Sequence, residues 1–169
     1  MRVIFILIFS VLMGSCLRIP EGVKPVENFD PERYQGKWYE IARLDHSFER
    51  GLERVTAEYE LQEKGRIYVV NRGYDVSKDK WSQAKGRAYY AGKEGVGHLK
   101  VSFFGPFYGS YVIFELDEDY QYAFVSGAST SYLWLLARTP EVDQHIIDRF
   151  VEFSKELGFN TEELIFVQH

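Results

Sequence analysis

Eight short stretches of alternating apolar and polar residues, each closed by a turn signal, follow one another through the middle of this 169-residue chain. They occupy residues 37–44, 54–62, 66–75, 82–91, 98–104, 110–116, 120–126 and 132–137, parted by turns such as Lys64-Gly65, Gly105-Pro106 and Asp117-Glu118-Asp119. Period-two alternation between Gly, Pro and Asp clusters predicts β-strands. So many consecutive strands with short connections predict an antiparallel up-and-down barrel, which closes on itself and leaves no long edge unpaired. Beyond residue 138 the period becomes 3.6. Thr139-Pro140-Glu141 predicts a helix start, Ile146, Ile147, Phe150, Phe153 and Leu157 form an apolar stripe, and Gly158 ends it. A helix of this kind packs its stripe on the outside of the barrel, and residues 162–167 predict a short ninth strand. The expected domain, residues 30–169, is therefore all-β: an eight-stranded barrel with one C-terminal α-helix outside it.

The first fifteen residues stand apart from that pattern. Arg2 precedes an apolar run from Val3 to Met13, and Gly14-Ser15 supply the small residues that a signal peptidase requires. The run is about half the roughly 20 residues a membrane-spanning helix needs. Met13-Gly14-Ser15-Cys16 is similar to a bacterial lipobox, in which the Cys is acylated and becomes the new N-terminus. Cys16 is the only Cys of the chain, and an exported protein rarely leaves one thiol unpaired. Residues 1–15 are thus expected to be a lipoprotein signal, Cys16 a lipid anchor, and residues 16–29, punctuated by Pro20, Gly22 and Pro25, a linker to the membrane. Leu17 is not the Asp that tends to retain such lipoproteins at the inner membrane. The expected location is the outer membrane, facing the periplasm.

Composition narrows the function classes. The formal net charge is −5 and no run of Lys and Arg occurs, which makes nucleic acid and anionic membrane surfaces poor partners. His46, His98, His145 and His169 lack metal-ligand spacing, and no nucleophile, P-loop or dinucleotide motif occurs. Neither enzyme activity, a metal nor a cofactor is expected. Aromatic residues make up 17% of the chain, a content suited to strands and to the rigid apolar walls of a pocket. Residues 45–53, the longest of the early connections, are expected to form a rim or lid at a barrel mouth.

Gly36-Lys37-Trp38-Tyr39-Glu40-Ile41-Ala42 resembles the G-x-W motif opening the first lipocalin strand, and Arg138, ending the eighth, resembles the Arg that stacks on that Trp. Residues 48–53, 100–109 and 132–134, with Arg138-Thr139-Pro140, look like the bacterial lipocalins, a branch grouped with apolipoprotein D. The resemblance implies a barrel closed at one end, with Gly36, Trp38 and Arg138 as the family motif. It also implies a fatty acid or lysophospholipid held inside, for membrane maintenance under stress. By similarity to lipocalin strands, the cavity is expected to be lined by Ala42, Leu44, Ala57, Tyr59, Val69, Asn71, Ala84, Gly86, Ala88, Leu99, Val101, Phe103, Val112, Phe114, Ala123, Val125, Trp134 and Leu136. The small residues among them would leave a void. Glu40 also faces inward on this register, where it either closes the base with a Tyr or Arg partner or meets a ligand head group. A competing class is an interaction module in which Phe104, Phe107 and Tyr108 dock a partner or a second copy, giving a homodimer. A carrier of another small hydrophobic molecule comes third.

Overall fold

The computed structural model describes residues 17–169, so the signal segment and Cys16 lie outside the described residues. Asp30 accepts a hydrogen bond from the Glu32 amide and starts a one-turn helix, α1 (Pro31–Tyr34). The barrel then runs β1 (Gly36–Arg43), β2 (Leu52–Leu61), β3 (Ile67–Asp75), β4 (Lys80–Tyr90), β5 (His98–Phe104), β6 (Phe107–Leu116), β7 (Tyr122–Ser126) and β8 (Leu133–Ala137). Each strand pairs antiparallel with the next, and β1 pairs with both β2 and β8, which closes the sheet. Helix α2 (Gln144–Glu156) and a two-residue strand, β9 (Ile165–Phe166), follow. β9 pairs with Ala42 and Arg43, on the half of β1 that β2 has already left.

Two apolar clusters divide the molecule. One fills the barrel around Trp38, Tyr34, Tyr59, Val69, Leu99 and Val125. The other lies outside, where Phe150 of α2 meets Ile41, Phe124, Leu135 and Ala137. Phe124 and Phe150 pack edge to face at 5.0 Å. Each large side chain buried in this way contributes about 1.5–3 kcal/mol, so α2 is held by its stripe. It starts later than its sequence suggests. Thr139 Oγ1 donates to the Glu141 carbonyl and holds a bend, and the helix begins only after Asp143. Gly158, with φ +86°, ends it.

Four residues expected inside the barrel pack outside it, in the cluster beneath α2: Ala42, Leu44, Val112 and Phe114. In β1 the register shifts between Glu40, opposite Leu136, and Ala42, opposite Leu135, so one extra residue reverses the alternation. In β6 the run Tyr111-Val112-Ile113-Phe114 is buried on both faces, with Ile113 inside and Val112 and Phe114 under the helix. Such a run has no alternation from which to read a phase. The segment before α1 is also tied down. Val26 N–H donates to the Ile113 carbonyl and Gly97 N–H to the Val26 carbonyl, while Phe29 is buried in the inner cluster. The expected linker is thus partly a strap across the barrel.

Candidate ligand-binding site

The closed end is built around Trp38. Its indole N–H donates to the Tyr34 carbonyl, and the Arg138 guanidinium lies 4.0 Å from its ring centroid. Arg138 also donates to the carbonyls of Arg33, Gln35, Lys37 and Tyr120. One side chain therefore clamps α1, the start of β1 and the β6–β7 turn. Gly36 has φ +93°, and a Cβ there would stand 3.4 Å from Arg138 Nη1. Only a glycine adopts that turn freely beneath the clamp. Above Trp38 the hydroxyls of Tyr34, Tyr111 and Tyr59 form a chain at 2.8 Å per link. Burial pushes all three phenols above their ordinary range, so they stay neutral hydroxyls.

Further toward the open end stands a buried polar group that the sequence only partly announced. The reversal of alternation in β1 turns Arg43 inward, where it is 2% exposed. Its Nη1 donates to Glu40 Oε1 at 2.8 Å and its Nη2 to the carbonyls of Glu49 and Leu52. Trp134 donates to Glu49 Oε2, and His46 Nε2 approaches that oxygen at 2.8 Å in an ion-pair contact. The β1–β2 connection is thereby folded over the barrel and fastened. Arg43 Nε is buried and has no hydrogen-bond partner among the described residues, and neither does Asn71 Oδ1.

Two buried carboxylates lie close together here, Glu40 on Arg43 and Glu49 on His46 and Trp134, and burial disfavours ionisation of both. Burial, reinforced by the Glu49 charge, raises Glu40 well above the ordinary carboxylate range despite its contact with Arg43. Burial opposes ionisation of Glu49 too, but His46, Trp134 and Arg43 together outweigh it and lower its pKa. The two shifts run in opposite directions, which favours the proton on Glu40 over Glu49. A group whose folded pKa is raised binds its proton more tightly in the native state. Its stabilisation is complete below the unfolded pKa and lost as pH rises through the folded one. Relative to Glu40→Gln, the parent should therefore lose stability as pH is raised from the ordinary carboxylate range upward. Paired urea midpoints across that range check this, and a pH-independent difference would contradict it.

Of the other residues expected to line a cavity, Ala57, Tyr59, Val69, Ala88, Leu99, Ala123, Val125 and Leu136 are buried in the inner cluster, with Val101, Phe103 and Trp134 half-buried at its border. A Cβ on Gly86 would meet the Phe103 ring at 2.8 Å, which places Gly86 on the inner face. Asn71 pairs with Ala57 and with Ala84, and Ala84 is exposed. The inner face thus runs from fully buried near Trp38 to open beside Ala84 and Phe103. Sequence reading missed Tyr34, Arg43, Glu49, Tyr111 and Ile113. Charged Arg43 with Glu40 three residues before it, inside an apolar strand, was the available signal.

Barrel, clamp and outer helix define a class, and a family model for the lipocalin-like domain matches residues 29–169. The chain belongs to the lipocalin family. It is 60% identical over 169 residues to outer membrane lipoprotein Blc of Vibrio cholerae, covering 99% of both chains. It is 46% identical to outer membrane lipoprotein Blc of Escherichia coli K12, covering 95% of this chain and 90% of that one. Among solved structures, insecticyanin from the tobacco hornworm Manduca sexta shares the fold with a TM-score of 0.72 at 20% identity, covering 90% of this chain and 87% of that one. Lipocalins bind small hydrophobic ligands, and the family is in general one of carriers and not of enzymes.

Proposed function

We propose that this chain is a lipid-anchored carrier of the bacterial outer membrane that holds a fatty acid or lysophospholipid inside its barrel, facing the periplasm. The observation that carries the reading is the graded inner face. Small residues at Ala57 on β2 and at Ala84, Gly86 and Ala88 on β4 flank β3, beside half-buried Val101 and Phe103 on β5 and with half-buried Trp134 on β8. An acyl chain fits such a wall because it needs only apolar area and a way in. The free Nε of Arg43 offers a charge-assisted hydrogen bond to a carboxylate or phosphate at the ligand's polar end. The names of the Vibrio cholerae and Escherichia coli relatives support the membrane assignment.

The site is tested by titrating the purified chain with a fluorescent fatty acid and displacing the probe with lysophospholipid. One saturable site per barrel is expected, and non-saturable partitioning would defeat the reading. The anchor is tested separately by Cys16→Ser, which should move the protein from the membrane fraction to the soluble one with its ligand affinity unchanged. A Cys16→Ser protein that still sediments with membranes through an uncleaved signal would remove the anchor.

A further inference from the structure

β4 and β5 pair only from Arg87, opposite Ser102, to Tyr90, opposite Leu99. Beyond Arg87 the two strands part, and a groove of about 430 Å³ runs along this wall from Gly105 to Arg66 and Gln62 beside the β2–β3 turn. Arg66, Lys85 and Arg87 line it, and no carboxylate among the described residues does. On a chain of net charge −5 this is an unbalanced cationic site. It comes from separated positions on two parts of the sheet, which is why no basic run marks it in the sequence. Ser102 also lines the groove; it is only 5% exposed, and its Oγ has no hydrogen-bond partner among the described residues. A buried hydroxyl left unpaired is costly, and this one shares its groove with three cations.

The groove adjoins the β5–β6 hairpin. Arg87 donates to the Tyr108 hydroxyl, and its Nη2 lies 2.9 Å from where a Cβ on Gly105 would sit. The same hairpin carries Phe104 and Phe107, paired across the turn and 82% and 78% exposed. Aromatic side chains standing clear of the surface beside cations match a bilayer boundary, with rings in the acyl layer and cations at the phosphates.

We propose that this groove seats the phosphate of an anionic phospholipid headgroup, with Arg66, Lys85, Arg87 and Ser102 Oγ as its donors. Phe104 and Phe107 enter the acyl layer beside it. The open end of the barrel then rests on an anionic bilayer surface, whatever the interior carries.

The test is co-sedimentation of the full chain carrying Cys16→Ser, so that no anchor contributes, with vesicles at low ionic strength. Binding to phosphatidylcholine vesicles containing about one-third phosphatidylglycerol should exceed binding to pure phosphatidylcholine by about tenfold or more, and fall as salt is added. Lys85→Gln with Arg87→Gln should abolish the preference for anionic vesicles. Phe104→Ser with Phe107→Ser should weaken binding by about tenfold, with circular dichroism unchanged. All four positions are exposed, so the fold should survive. Equal binding to both vesicle types, or binding indifferent to these substitutions, overturns the proposal. Displacement by millimolar inorganic phosphate would assign the groove to the free ion instead. A dimer that dissociates on Phe104→Ser with Phe107→Ser, without vesicle binding, would assign the hairpin to a second copy. Either result also overturns it.

Discussion

Ala84→Trp should weaken acyl-chain binding by at least about 300-fold while the barrel stays folded. Ala84 lies on the inner face of β4, on the same side as Gly86 and Ala88, yet it is exposed. An indole added at this exposed position is expected to take up space at the open end rather than in the buried core. Burying about fourteen methylenes gives a gross transfer free energy near 11 kcal/mol, of which association and ordering consume a part. Excluding about a third of that chain removes about 3.5 kcal/mol, which is the stated fold-change. Ala88 is the wrong place for this experiment. It is fully buried in the inner cluster, so a Trp there would overpack the core and confound loss of fold with loss of space. Titration with a fluorescent fatty acid measures the effect, with near-ultraviolet circular dichroism reporting the fold. An unchanged affinity would place the ligand elsewhere on the protein.

Arg138→Ala should destabilise the barrel by about 3 kcal/mol and leave ligand selectivity alone. Stacking of a guanidinium on an indole contributes about 0.5–2 kcal/mol, but Arg138 does more than stack. Its four hydrogen bonds reach carbonyls on α1, on both sides of the start of β1 and in the β6–β7 turn. Removing it leaves these acceptors to water and unlocks the base of the barrel around Trp38. Lysine cannot repair this, because one ammonium cannot span four carbonyls while lying flat on a ring. Arg138→Lys should therefore recover less than half of the loss. Urea midpoints measure both variants, and a midpoint equal to the parent's would show that the clamp holds nothing.

Much of this architecture was legible from the chain. Strands such as β2 and β3 bury one face, so residues like Ala57, Tyr59 and Val69 alternate with polar neighbours and announce both strand and side. Trp38 and Arg138 could be paired only through their resemblance to the lipocalin motif. Legibility failed where both faces are buried. The upper half of β1 and the middle of β6 lie between the barrel interior and α2, so Ala42, Leu44, Val112 and Phe114 are apolar for the helix's sake. The extra residue in β1 leaves no mark in an apolar run, yet it reverses every side chain after it and turns Arg43 inward. The cationic groove was invisible for a different reason. Its members meet only through the pairing of β3 with β4 and the parting of β4 from β5.

Native mass spectrometry of the Cys16→Ser protein, purified without detergent, tests the central claim most directly. The carrier account predicts a mass increment of one fatty acid or one lysophospholipid per barrel, absent when Ala84→Trp is added. A ligand-free mass that does not shift on incubation with either lipid, or an increment that survives Ala84→Trp, would contradict it.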